Sequence, residues 1–174
     1  MDALDILRDL LSRPRDAADR LRDQLNPVTL NARPGGHDNS VAWLLWHTGR
    51  EIDVQLADLS GDEQVWTARG FAARFDLGEI GDSVGYGHTS AEARRILVED
   101  AEGLLEYVDA TLSALGDHLE MITAPDLEDV IDTQWDPPVT RGARLVSIVD
   151  DAIQHIAQAA YVLGMPDSER AEPR

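Results

Sequence analysis

The chain has 174 residues, 15 basic against 33 acidic, and a formal charge of −18. Nucleic acid and anionic membrane surfaces would repel so negative a protein, which sets both aside as partners. Cysteine is absent and every basic residue is arginine, so disulfides, thiolate side-chain ligands, Schiff bases and a phosphate-loop lysine are excluded.

Leu4, Leu7, Leu11, Ala18, Leu21 and Leu25 recur at helical spacing, the stripe of an amphipathic first helix that Pro14 is expected to kink or restart. A turn-rich stretch, 31–36, precedes Asp38, Asn39 and Ser40, which compete to cap a second helix from Val41 to near Gly61. Segment 62–88 reads as looser, with a short helix around Trp66. Thr89 and Glu92 form a capping box, expected to open a third helix that runs to Gly116. Residues 117–142 read as a long irregular connection without strands. The last helix covers about 143–163, with Gly164 as its stop.

Four amphipathic helices with two long connections predict an all-α four-helix bundle, in one domain over 1–174 whose charged tail after about 165 is frayed. The opening Met1-Asp2-Ala3-Leu4-Asp5 carries no basic leader, and no apolar run reaches the roughly 18 residues of a membrane span. The expected location is the cytoplasm.

Chemistry falls to His, Asp, Glu, Arg and hydroxyls. In the last helix Asp151 and His155 stand one turn apart beside the apolar stripe, in a sector shared with Arg144 and Gln158. A single metal ion can be gripped at that spacing, although a lone pair of this kind more often marks a surface ion pair. In the second helix, Val41-Ala42-Trp43-Leu44-Leu45-Trp46 leaves no solvated face, so His47 directly after it is partly buried. A lone histidine there reads as a hydrogen-bonded core residue or as a cavity-wall group, in a sector with Trp43, Glu51 and Val54. His37, His88 and His118 fall in or next to loops and are expected at the surface. No serine sits in a nucleophile motif.

Val41-Ala42-Trp43-Leu44-Leu45-Trp46-His47, with Asp53 and Trp66 downstream, resembles the DinB/YfiT-like metal-dependent superfamily. Trp135-Asp136-Pro137-Pro138-Val139-Thr140-Arg141-Gly142, followed by the helix segment 150–158, resembles its actinobacterial branch, close to mycothiol-dependent S-transferases. The resemblance implies an up-down-down-up bundle and one divalent metal, zinc first and nickel second. It also implies that His47, Asp151 and His155 are the ligands, with Asp151 where many members carry histidine. Trp43, Trp46 and Gln158 are candidate pocket neighbours, and a homodimer is common in the family. The maleylpyruvate isomerase of the group uses a further C-terminal domain that these residues do not contain, so transfer of a thiol to an electrophile, as in detoxification, is the expected activity. Mycothiol as co-substrate suits the arginine-only, high-GC composition. The alternatives are a non-catalytic metal or small-ligand binder and a metal-dependent hydrolase, for which no base is evident. The site is expected to open at one bundle end, walled by the loops around 62–88 and 117–142.

Overall fold

Four long helices carry the fold in the computed structural model, which describes residues 1–170. They are α1 (Ala3–Asp19), α2 (Val41–Ser60), α3 (Ala101–Met121) and α4 (Arg141–Leu163). Each begins on an oxygen-bearing cap: Asp2, Ser40, Asp100 and Thr140 accept amide hydrogen bonds from the first turns, satisfying donors that have no intrahelical partner. Of the three candidate caps for α2, Ser40 takes the role, and Gly61 ends the helix at φ 78°.

Several boundaries differ from the sequence reading. Helix α1 runs uninterrupted through Pro14, whose ring is buried in the bundle, and stops at Asp19. Leu21 stays in the core through the following 3-10 turn, Arg22–Gln24. The Thr89–Glu92 capping box forms, yet it opens only the turn Ser90–Ala93. The chain beyond is not helical: Ile96 and Val98 alternate into the core while Leu97 faces out. The Asn31 amide locks that path by bonding both the carbonyl (2.8 Å) and the N–H (3.3 Å) of Val98. Helix α3 then starts afresh at Asp100 and continues past Gly116.

The connection after α3 holds a 3-10 turn, Ala124–Glu128, and an unexpected antiparallel pair, β1 (Val130–Asp132) and β2 (Val139–Thr140). Strands this short carry too few residues for an alternation to show. Gly164 ends α4 with ordinary right-handed geometry, at φ −76°. Of the tail expected to fray, Asp167–Arg170 forms a helical turn, and residues 171–174 lie outside the described residues.

Side-chain pairings give the helix directions. Arg8 meets Glu120 and Arg15 meets Asp109, so α1 and α3 are antiparallel. Helices α2 and α3 are parallel: Asp53 faces Tyr107, and further along both helices Ser60 and His118 share a cavity. His47 faces Asp151 and Asp58 faces Arg144, which makes α2 and α4 antiparallel. The bundle is therefore up-down-down-up. Helix α2 packs on both α3 and α4 and is buried on every side over Val41–Arg50. At Gly49 a side chain would lie 2.4 Å from the Tyr107 ring, so the close α2–α3 approach requires glycine there. Among the described residues no helix is long and apolar enough to cross a membrane.

One polar hub sits inside this core. Asp53, 2% exposed, accepts from the amides of Val65 and Trp66 at 2.7 Å each and from the Tyr107 hydroxyl at 2.9 Å. Arg50, 1% exposed, lies 3.5 Å from that carboxylate and donates to the carbonyls of Ser83 (3.0 Å) and Asp82 (2.8 Å). Removing one partner of a buried pair leaves the other charge uncompensated, which typically costs about 3–5 kcal/mol. Asp53→Ala is expected to lose stability on that scale, and urea denaturation beside the milder Asp53→Asn checks it.

Candidate metal centre

Two helices meet at this site. Helix α2 carries His47 two turns from its Ser40 cap, and α4 carries Asp151 and His155 one turn apart. The antiparallel α2–α4 pairing brings them level. The Asp151 Oδ2 lies 3.7 Å from His47 Nε2, and its Oδ1 lies 3.4 Å from His155 Nε2. One ligand atom from each residue falls within 4.8 Å of the other two. His47, 6% exposed, stacks on Trp43 with ring centroids 4.7 Å apart, and the His155 ring stands edge-on to both.

Both imidazoles are oriented from behind. His47 Nδ1 donates to the Val84 carbonyl in a short hydrogen bond, and His155 Nδ1 donates to the Gln158 side-chain carbonyl at 2.9 Å. A carbonyl oxygen can only accept, so Nδ1 carries the hydrogen and each Nε2 turns a lone pair toward Asp151. The Asp151 Oδ2 is enclosed and has no hydrogen-bond partner. Two imidazole nitrogens and one carboxylate, with no neighbouring donor to satisfy that oxygen, fit a divalent cation that keeps open positions.

Electrostatics differ across the trio. Burial, partly offset by the Val84 bond, holds the His47 imidazole below its usual range. Burial presses on His155 too, but in its doubly protonated form the ring would donate to both Asp151 and Gln158, and that stabilisation prevails and raises it. One further carboxyl belongs to this neighbourhood. Burial pushes Glu51, one turn after His47, up to about 9, with Asp151 adding to the rise and Arg144 opposing it. The sequence reading placed Glu51 in the sector of His47 without giving it a role; its burial follows from α4 packing over that face.

The remaining candidates are distributed as follows. Trp43 flanks both histidines, and Gln158 bonds His155. Trp46 is fully buried behind Trp43, edge-on to it and stacked on His88. His88, expected at the surface, is half-buried: Trp43 Nε1 donates to its Nδ1 at 3.4 Å, and its Nε2 bonds the Ser83 hydroxyl at 2.9 Å. That histidine nitrogen is the donor, so Ser83 gains no base and passes its own hydrogen to the Ile80 carbonyl. His118, also expected outside, is 7% exposed because α3 extends beyond Gly116 and carries it into the interface with α2. His37 is exposed as expected.

A cavity of about 1010 Å³ opens beside His155. Pro34, His37 and Asn39 line one wall and Gln154, Gln158 and Tyr161 the other. Among the described residues, neither 62–88 nor 117–142 contributes to that lining; the 34–39 turn and the end of α4 supply it instead. The 62–88 segment reaches the centre from the opposite side, through Val84.

Gly85 makes that approach possible. It adopts φ +88°, and a Cβ there would lie 2.9 Å from Trp43 and Trp46 and 3.2 Å from His47 Nδ1. Gly85→Ala is expected to cost about 1–3 kcal/mol through overpacking and to weaken divalent-metal binding by misplacing the Val84 carbonyl. Thermal denaturation and a chelator-competition titration measure the two effects.

The chain matches the family model of the DinB superfamily over residues 10–159. A comparison with curated proteins found no match. Among solved structures, the crystal structure of a conserved protein from Enterococcus faecalis is similar, with 33% identity and a TM-score of 0.84, over 92% of this chain and 95% of that one. With most of its length matched by the family model, and the same bundle found in a structure of that identity, the chain belongs to the DinB superfamily.

Proposed function

We propose that the protein is a metal-dependent thiol S-transferase, in which a low-molecular-weight thiol, mycothiol first, attacks an electrophilic small molecule. The observation that carries this reading is the convergence, at the edge of a large cavity, of two Nδ1-anchored histidines and one carboxylate whose Oδ2 has no hydrogen-bond partner. A divalent cation, zinc first and nickel second, would be held by His47, Asp151 and His155, and its charge lets a thiol ionise near neutral pH.

The chain's own contribution is to bind and orient. Val84 and Gln158 keep both Nε2 atoms aimed at one point. The cavity admits the body of the thiol or electrophile, with Asn39, Gln154 and Gln158 offering amides and Tyr161 a ring face. No arginine lines it among the described residues, and the formal charge is −18, which favours a thiol of low negative charge over a dianionic peptide thiol. The sequence contains no cysteine, so no side-chain thiol competes for the place. A second reading, hydrolysis with water as nucleophile, is favoured by Glu51: burial holds its carboxyl protonated near neutral pH, which suits it to give a proton to a leaving group.

Metal analysis is expected to find about one divalent ion per chain, and His155→Ala is expected to lose it. The metal-loaded protein should consume mycothiol in the presence of an electrophilic dye, stop when treated with chelator, and recover on re-addition of zinc. Bacillithiol and glutathione run beside mycothiol give the thiol preference, and ester substrates test hydrolysis. Metal binding that shifts the melting temperature without any turnover would identify a binding protein instead.

A further inference from the structure

We propose that Glu51 is a fourth protein group of the metal centre, a carboxyl beside His47 on the same helix face that accepts a hydrogen bond from the molecule occupying the open position. The proposal rests on the reading of His47, Asp151 and His155 as ligands. Glu51 follows His47 by one turn of α2, so at about 100° per residue the two side chains leave nearly the same face of the helix. That face packs on α4, where Asp151 stands.

The two Glu51 oxygens are in different situations. Oε1 accepts a short hydrogen bond from the Gln55 amide. Oε2 is enclosed and has no hydrogen-bond partner. The cation that acts on it most, Arg144, is already shared between Asp58 at 3.7 Å and Asp132 at 3.8 Å. Across the interface the Asp151 Oδ2 is likewise enclosed without a partner. Buried polar atoms in folded proteins are hydrogen-bonded in the great majority of cases, and the exceptions tend to mark an ion, a water or a chemical role.

Two such enclosed oxygens, one on each of two helices packed face to face at the level of His47, mark a position for a cation and its attached donor. Glu51 does not belong to the group whose ligand atoms lie within 4.8 Å of one another. Contact through an intervening O–H or S–H group is therefore the role its position leaves.

Zinc affinity, by competition with a chromophoric chelator, and the absorption spectrum of the cobalt(II)-substituted protein test this in wild type, Glu51→Gln and Glu51→Leu. Glu51→Leu, with its three ligands intact, is expected to bind zinc about 10- to 100-fold more weakly, with a changed cobalt spectrum. Glu51→Gln, which keeps an acceptor oxygen but cannot ionise when the cation binds, should fall between. The melting temperature of the metal-free variants should be unchanged or raised, which separates the effect from misfolding. Equal affinity and an identical spectrum in all three proteins would overturn the proposal while leaving the metal reading intact. A wild type whose zinc affinity matches that of His155→Ala would overturn both.

Discussion

The buried pair of Arg50 and Asp53 is the constraint on which the rest of this structure depends. The residues lie one turn apart on α2, nearly out of reach of water, and each makes two hydrogen bonds to loop backbone. Asp53 pins the start of the turn at Val65, while Arg50 holds the carbonyls of Asp82 and Ser83. The Trp66 indole closes the circuit by donating to the Asp82 side chain at 2.8 Å, with the Arg50 guanidinium over its ring. A connection of more than twenty residues is thereby fastened at both ends to a single helix. Isolated burial of either charge would be prohibitive; burial of the pair with its donors and acceptors met is not.

The candidate metal centre inherits its geometry from that fastening. The residue after Ser83 is Val84, and its carbonyl is what fixes the His47 tautomer. The tight conformation at Gly85 lets the loop turn away again over Trp43 and Trp46. The corresponding anchor for His155 comes from its own helix, Gln158. One histidine is thus oriented by tertiary structure and the other locally, and the carboxylate between them is left with an unsatisfied oxygen. An arrangement that orients two lone pairs and withholds donors from a carboxylate is paid for by the fold, and it matches what a cation with exchangeable positions requires.

The location of the cavity follows from the order of the helices. Helix α4 runs antiparallel to α2, so the His155 end of α4 lies beside the segment that leads into α2. That places the 34–39 turn, and not the hairpin that precedes α4, across from Gln154 and Tyr161. The hairpin lies at the other end, where Asp132 engages Arg144.

Much of this was legible in the residues alone. The apolar stripes of α1, α2 and α4, the Ser40 and Thr89 caps, the Gly61 stop and the adjacency of Asp151 and His155 on one helix are all local properties, set by a period of 3.6 residues and by side chains reaching their own backbone. The aromatic run before His47 announced burial. What no local pattern could decide was anything that depends on a partner distant in the chain. The non-helical path at Ile96 and Val98 has its Val98 backbone groups met by Asn31, distant in the chain; the capping box upstream pointed to a longer helix. His118 and His88 are covered by elements far from them in sequence, and Glu51 looks like an ordinary solvated carboxylate until α4 closes over it. The sequence by itself determined which residues could be helical and which could ligate. Only the tertiary structure decided which of them meet, because burial and hydrogen-bond completion are properties of pairs brought together by packing, and not of either residue alone.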